Sequence, residues 1–572
     1  MRYAPYALAA LCALVLFTGL DRVGFTDARE ARDARVTHEL IANRELITPL
    51  YANDTLLEKP VFAYVPEALA AWLSRATGTS GTPVRSRQIR ALAALALLFV
   101  TASIAKRHFG TRAGWWSALA LASTLGLPLA ARTDGTQMWA TLFGWIGCGA
   151  LADGVVSPKP PSAAPLLFAY LSLAVVLLVA GPLPALWPLG AVALYATLAR
   201  DRRLLSRVRP LAGLALLAGV ALPWYGAMLD RQGAGFALHA AWFPYGAEGH
   251  GPWYTGPLLA LSFLVVASYP WSALAPEAML HAATWWRFAP RRSSGGAGSA
   301  PPAAAEPATR TEQEASAFER ERREESAAHF FIAALVASLV PVALHAGAPL
   351  SAALPALPAA AMLCGRLIDH VFEDPTRLAR PIARAARMMA LVGSAGALLL
   401  AVAAQRVPEA AADLRLLAAV LFLTSWLPLL ATLRDRPRLA AALMTLPIAL
   451  GAPITTAFVV PDMEGYLNAR VVAVTMDQQA PPLAPLAVIE PPPPSLRLYV
   501  RRNLVLTSPS AAAFDDLRAA DGLTYFAFPP ARESEVARRL GVPLEIVSRN
   551  PTLVLARMNP ESSLVAAPPT RP

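Results

Sequence analysis

Q-I-R-A-L-A-A-L-A-L-L-F-V-T-A-S-I-A (88–105) carries no charge after Arg90 and stops at the pair Lys106-Arg107. About 20 residues rising 1.5 Å each cover the ~30 Å hydrocarbon core of a bilayer, so a run of this kind reads as a membrane-spanning helix. Comparable apolar runs recur near 5–21, 113–130, 136–153, 164–180, 183–199, 211–229, 256–280, 329–346, 349–368, 387–404, 412–432 and 438–460. The pattern predicts an all-α polytopic membrane bundle of about thirteen helices. Composition agrees: 55% of the 572 residues are hydrophobic and 16% charged, against roughly 25% charged in a soluble domain. An ordinary cytosolic enzyme is excluded.

The formal net charge of +11 does not point to nucleic acid, because of where the excess lies. Lys106, Arg107 and Arg112, Arg200 to Arg209, Arg287 to Arg292, Arg377 to Arg387 and Arg434 to Arg438 fall in alternate loops. The positive-inside rule puts all of these in the cytoplasm. The amino terminus is then cytoplasmic, the carboxyl terminus external, and Tyr6 to Leu20 an uncleaved signal anchor in a bacterial inner membrane. Cys12, Cys148 and Cys364 lie inside apolar runs, where a thiol acts as a small hydrophobe.

Residues 1–460 form the expected transmembrane domain, interrupted by a long external loop at 21–87 and a Gly-, Ser-, Ala- and Pro-rich cytoplasmic loop at 287–325 that reads as disordered until the charged helix at 319–325. Residues 461–494, ending in four prolines, read as a linker. Beyond it L-R-L-Y-V (496–500), F-D-D-L-R-A-A (514–520), T-Y-F-A-F (524–528), E-S-E-V-A-R-R-L (533–540) and T-L-V-L-A-R (552–557) alternate strand and helix signals. This predicts a small α/β extracytoplasmic domain at 495–560, followed by a disordered tail at 561–572.

Long external loops usually carry function. In F-T-D-A-R-E-A-R-D-A-R (25–35), Asp27 and Glu30 share one face of a helix, a spacing that suits a general base beside an orienting carboxylate. The same segment also fits a helix lying on the membrane, with Arg29, Arg32 and Arg35 on head-group phosphates. In L-L-E-K-P-V-F-A-Y (56–64), Pro60 suits the first turn of a helix. Lys59 then sits near free backbone N–H groups, a site for phosphate, with Glu58 beside it. The turn A-R-T-D-G-T-Q-M (131–138) offers Arg132 and Asp134, either as a surface ion pair or with the arginine facing Lys59's cavity. F-P-Y-G-A-E-G-H-G-P-W-Y (243–254) offers Glu248, His250, Trp253 and Tyr254, suited to sugar stacking or simply to an interfacial aromatic belt. No His/Asp/Glu cluster has ligand spacing, so no metal is expected.

Together these residues resemble the GT-C membrane glycosyltransferases of the family 39 and 83 type, which include protein O-mannosyltransferases and the lipid A aminoarabinose transferase. The resemblance covers nearly the whole chain: the acidic motif after the first span, Glu58-Lys59-Pro60, the Arg132 turn, Gly181-Pro182, L-P-W-Y (222–225), H-G-P-W-Y (250–254), Y-P-W-S (269–272) and L-P-A-L-P-A (354–359). It implies inverting transfer of a sugar from a polyprenyl-phosphate donor, the co-substrate, to a lipid, glycan or protein acceptor at the periplasmic face. No other cofactor is implied, and membrane lipids surround the protein. Residue by residue, Asp27 matches the family Asp, Lys59 the phosphate lysine and Arg132 a second phosphate cation. An alternative register places Arg29 at the family Asp and Glu30 at the family Glu. Gln137, Ala180, Gly347 and Ser351 stand where the family commonly has an acid, a lysine, a lysine and a tyrosine. These departures fit either a different substrate or a catalytically degenerate paralogue that binds or assembles envelope lipids.

Overall fold

The computed structural model describes residues 4–558 apart from 27–28, 53, 79–82, 158–160, 246–251, 253, 285–311, 346, 375, 377–378, 482–483, 485, 490–492, 501–503, 508–524 and 541–543. The expected loop at 287–310, the helix at 514–520 and the tail at 561–572 lie outside the described residues. The elements up to the first long span are α1 (Ala4–Phe17), α2 (Glu30–Asn43), the short antiparallel strands β1 (Leu50–Tyr51) and β2 (Asp54–Thr55), a 3-10 turn at Val61–Tyr64, α3 (Val65–Ala76) and α4 (Val84–Phe109). Three helices follow in close succession: α5 (Thr111–Ala122), α6 (Gly126–Thr133) and α7 (Gly135–Val156).

Among the described residues nine helices are long and apolar enough to cross a membrane, and a tenth span is counted if Thr255–Ala267 and Trp271–Ala283, which meet at 117°, are one broken crossing. This is a multi-pass membrane protein. The expected thirteen segments are all helical, but they are not thirteen full spans. Pro5–Phe17 and Pro182–Leu198 are shorter apolar helices, and the segment 113–130 is split between α5 and α6. The split has a packing cause. A Cβ on Gly126 would come within 2.8 Å of Ala267 and of Leu357, and the Leu125 N–H donates to the Tyr269 carbonyl at 2.9 Å. The interrupted backbone thus pairs with the second interrupted segment, which re-satisfies groups that an unbroken helix would have paired internally. The charged run 319–325 is continuous with the span Glu319–Ala343 instead of standing apart from it.

The bundle core is built on small residues. Ala113, Ala118, Ala120, Ala359, Ala360 and Ala361 are all buried, and Gly365 lies so close to Ser117 that a Cβ would meet its hydroxyl at 2.3 Å. Small side chains let membrane helices approach closely where lipid offers no hydrophobic drive. The span Leu350–Glu373, 94% buried in its most apolar stretch, is the central helix.

The carboxyl-terminal part is a five-stranded mixed sheet of β3 (Leu486–Ile489), β4 (Leu504–Thr507), β5 (Tyr525–Phe528), β6 (Leu544–Arg549) and β7 (Val554–Met558), in the order β4-β3-β5-β7-β6. β3 runs parallel to both β4 and β5, and β7 is antiparallel to β5 and β6. Leu486 and Val488 face a core shared with Arg470–Gln479, while Ala487 and Ile489 face Val536 and Leu540 of the helix Glu533–Leu540. This alternation is the period of two of a strand covered on both faces. Two expectations are corrected here. The proposed linker 461–494 contains the interior strand β3 and the packed helix Arg470–Gln479, so the domain starts before residue 495. L-R-L-Y-V is not a strand: Pro494 at a first-turn position leads into the helix Pro494–Tyr499.

This domain grips the loop between α1 and α2. The Tyr499 hydroxyl accepts the Phe25 N–H at 2.7 Å, and Glu464 accepts the Gly24 N–H at 2.9 Å. The Arg497 guanidinium lies over the Tyr51 ring at 5.8 Å.

Candidate active site

α2 carries the acidic motif, and its first residue, Glu30, is 3% exposed. The Glu30 carboxylate accepts Arg87 through Nε at 3.0 Å and Nη2 at 2.8 Å, and Arg90 through Nη2 at 3.2 Å. Burial pushes its carboxyl up, but Arg87 and Arg90 outweigh burial and hold it below the usual carboxylate range. Arg87 also donates to the Leu20, Val23 and Gly24 carbonyls, and Arg90 pairs with Glu67 at 3.1 Å. A carboxylate saturated in this way holds the loop to α4 and is not available as a base, which corrects the catalytic expectation for Glu30. Asp27, with Glu248, His250 and Trp253, lies outside the described residues.

One helical turn beyond Glu30 the chemistry changes. Asp33 accepts the Lys59 ammonium at 2.6 Å through Oδ2, and Lys59 also donates to Thr136 Oγ1 at 3.2 Å. Lys59 is 8% exposed and lies 4.8 Å from the centroid of the Tyr64 ring. The helix end it faces is not that of its own segment, since Pro60 leads only into the 3-10 turn Val61–Tyr64. Thr136 sits in the first turn of α7, whose Asp134 caps the helix by accepting the Gln137 N–H at 3.1 Å. The positive end of the α7 dipole and a buried ammonium therefore point at one spot, a setting that favours an anion.

Asp134 is fully engaged. It accepts Arg29 at 3.2 Å and the Ser351 hydroxyl at 2.7 Å besides capping α7. Its partner is Arg29 and not Arg132, whose guanidinium is turned onto the Thr18 and Pro128 carbonyls. Arg132 therefore meets backbone carbonyls at the α1 end of the loop and pairs with neither Asp134 nor Lys59's partners, and its Nε is buried without a partner. Glu58 pairs with Arg32 at 2.7 Å at the more exposed rim, and Tyr254 is 50% exposed. Arg35 pairs with Glu39 at 2.6 Å, so the arginines of α2 bind protein carboxylates and do not leave the helix lying on lipid phosphates.

Two buried polar atoms beside Lys59 have no hydrogen-bond partner: Asp33 Oδ1 and the Tyr64 hydroxyl. Burial pushes the Tyr64 hydroxyl well up, reinforced by Asp33 and Glu58, so it is a hydrogen-bond donor throughout the physiological range. Buried groups of this kind are normally paired, and a set of them in one place marks a site built for something else. Among the described residues no group of three or more His, Cys, Asp or Glu gathers as metal ligands would.

Asp33, Thr136, Arg87 and Arg90 were not singled out from sequence, and Ser351 was named only as a departure from the family pattern. Arg87 and Arg90 stand at the start of an apolar run with no motif of their own, and Ser351 reads as a departure where the family has tyrosine. Asp33 did carry a signal, standing one turn from Glu30 on the face that Lys59 approaches.

No protein-family model and no curated protein sequence matches the chain. Among solved structures, ArnT from Cupriavidus metallidurans bound to undecaprenyl phosphate is similar at a TM-score of 0.72 and 18% identity, covering 99% of both chains. ArnT from the same organism in the apo state gives a TM-score of 0.70 with the same identity and coverage. A more remote likeness, TM-score 0.47 and 12% identity over 100% of this chain and 75% of the other, is the archaeal oligosaccharyltransferase AglB from Archaeoglobus fulgidus in complex with an inhibitory peptide and a dolichol-phosphate. From the first span to the terminal sheet, this chain has the fold of the ArnT structures.

Proposed function

We propose that this protein is a membrane glycosyltransferase that moves a sugar, with inversion, from a polyprenyl-phosphate carrier to a lipid, glycan or protein acceptor. The site faces the periplasm of a bacterial inner membrane, with the amino terminus in the cytoplasm. The observation that carries the reading is the buried Lys59 between Asp33 and the amino end of α7, in a fold whose ArnT example holds undecaprenyl phosphate.

Lys59 and the α7 terminus bind the carrier phosphate and stabilise the charge that grows on it as the glycosidic bond breaks. In-line displacement places the base that takes the acceptor's proton on the far side of the anomeric carbon, on the order of 6–9 Å from the cation holding the leaving group. Asp33, at 2.6 Å from Lys59, is too close for that role and serves as the counter-ion that holds Lys59 in place before the donor arrives. Asp27 is the proposed base. A second reading, a degenerate paralogue that binds carrier lipid without transfer, is favoured by the neutralisation of Glu30 by Arg87 and Arg90.

One series of purified variants tests both. Lys59→Ala is expected to weaken binding of undecaprenyl phosphate by at least about tenfold, the loss of one charge-assisted contact to a phosphate. Asp27→Asn is expected to abolish transfer with carrier binding unchanged, and Asp33→Asn to retain measurable transfer. Unchanged carrier binding in Lys59→Ala counts against the phosphate site. Loss of transfer in Asp33→Asn with retention in Asp27→Asn exchanges their roles, and absence of transfer in the wild type with tight carrier binding selects the second reading.

A further inference from the structure

Far from the Lys59 site, two of the membrane-crossing helices, Ala163–Ala180 and Pro210–Gln232, leave a groove between their first turns. It encloses about 290 Å³ and is lined by Leu166 and Tyr170 of the first helix and by Ala212, Gly213 and Leu216 of the second, with Arg209 at its mouth. The floor depends on a close approach: a Cβ on Gly213 would lie 2.0 Å from the Tyr170 ring. The Tyr170 hydroxyl donates to the Val208 carbonyl at 2.8 Å, which fixes the ring and commits its polar end. Below Arg209 the lining side chains therefore present carbon. The rim opens to lipid, since Leu167, Phe168 and Leu214 beside it are exposed. From Arg209 to Leu216 the groove runs about 10 Å along the helix, roughly a third of the hydrocarbon core of a bilayer.

The mouth is positive. Arg209 is exposed, and among the described residues it forms no ion pair. Its turn, residues 200–209, carries five arginines against one acid, Asp201, whose carboxylate accepts the Arg203 N–H at 3.1 Å. Both helices begin at this mouth, and neither has an acid in its first turn. The groove is also remote from the proposed carrier phosphate. Further along the second helix, Trp224 donates to the Ile47 carbonyl at 3.1 Å and shares a buried cluster with Tyr64, the neighbour of Lys59. Trp224 lies about 22 Å along the helix from Arg209, so the two cations stand at opposite ends of the bundle.

We propose that this groove binds one anionic phospholipid of the leaflet opposite the Lys59 site, with an acyl chain on the Tyr170 ring and Leu216 and the phosphate on Arg209. The occupant has to be amphipathic. A chain alone gains nothing from the guanidinium, and a soluble phosphate gains nothing from a further 10 Å or so of apolar wall. A zwitterionic lipid fits the groove but sets its own ammonium among arginines, whereas a net negative head group meets the whole turn favourably. The opening toward the bilayer lets such a lipid enter sideways without crossing water.

The full-length protein in phosphatidylcholine nanodiscs receives a trace of phosphatidylglycerol or of phosphatidylcholine with a photoreactive diazirine near the head-group end of one acyl chain, and crosslinks are mapped by mass spectrometry. Lipid-facing Leu391, Leu398 and Leu399 of the helix Ala379–Arg406, all exposed, report ordinary contact with the bilayer. On residues 163–170 and 209–216 the phosphatidylglycerol probe is expected to exceed the phosphatidylcholine probe by at least about fivefold, the worth of one arginine near an anionic surface, and to show no such excess on the reporter helix. Arg209→Gln should remove the excess and leave phosphatidylcholine crosslinking unchanged, which shows the groove intact. Ala212→Trp, at an exposed position, fills the groove and should bring both probes down to the level of the reporter helix. The proposal is overturned if wild type shows no excess at the groove, or if Arg209→Gln keeps it. Displacement of the probe by soluble glycerol 1-phosphate makes the site one for free phosphate, and displacement by undecaprenyl phosphate at a lower mole fraction than by unlabelled phosphatidylglycerol makes it a second carrier site; either result overturns the phospholipid. If Ala212→Trp fails to insert, wild type against Arg209→Gln decides.

Discussion

Glu30 and Asp33 stand three residues apart on one helix and have opposite fates. Glu30 meets two guanidiniums in a space closed to solvent, and Asp33 meets one ammonium with its second oxygen left over. Removing one member of a buried ion network leaves an uncompensated charge, which costs about 3–5 kcal/mol. Glu30→Gln is therefore expected to lower stability by a few kcal/mol while carrier binding by the folded fraction persists, as thermal unfolding in nanodiscs measures. The sign of the pH effect follows from the depressed carboxyl of Glu30. Its contribution is fully present above the ordinary glutamate value of ~4.3 and is lost as pH falls through the lower folded value. The wild type should lose stability on that acid limb, and Glu30→Gln should flatten it. Lys59 was legible in the sequence because a lysine stands out among arginines before a proline. Arg87 and Arg90 were not, because an arginine entering an apolar run looks the same whether it meets a lipid phosphate or a buried carboxylate.

At the level of elements, the first loop is held by parts far from it in sequence. Tyr499 and Glu464 cap the Gly24 and Phe25 N–H groups just before the segment that contains Asp27. A Cβ on Gly24 would lie 2.6 Å from the Tyr499 hydroxyl, so the approach is tight. Tyr499→Phe leaves the Phe25 N–H unpaired, at about 1–2 kcal/mol. The expected result is a several-fold fall in the transfer rate with the affinity for undecaprenyl phosphate unchanged, since Tyr499 acts by positioning and touches neither Lys59 nor Thr136. A fall in carrier affinity alone would contradict that role. The long spans were legible because twenty apolar residues permit little else, and so were β5, β7 and the helix Glu533–Leu540. β3 was missed for a physical reason: Leu486 to Ile489 is apolar at every position, since both faces of the strand are covered, and an alternation that would announce a strand is absent.

Across the whole molecule the charges sort by end. Lys59, Asp33, Asp134 and the terminal domain share one end of the bundle. The Arg107–Asp153, Arg112–Asp369 and Arg384–Glu277 pairs occupy helix ends among the basic loops. The proposed topology can be read with thiol labelling, because Cys12, Cys148 and Cys364 are all buried. A membrane-impermeant maleimide applied to intact spheroplasts is expected to label Leu46→Cys, at a side chain 74% exposed, and to spare Arg202→Cys until the membrane is opened. The reverse pattern would invert the topology and take the site to the cytoplasm.

The hydrogen bond between Phe25 and Tyr499 joins residues 474 positions apart. It sets a timetable. The loop that precedes Asp27 is delivered to its side of the membrane early in synthesis and waits there while every later span is inserted. Its fixed geometry is reached only after the terminal sheet has been translated and folded against it. A ribosome that stalls anywhere before Tyr499 leaves a protein already embedded and already equipped with Lys59, but with the segment leading to Asp27 unanchored. On the proposed reading, sugar transfer at this site waits on the completion of the chain.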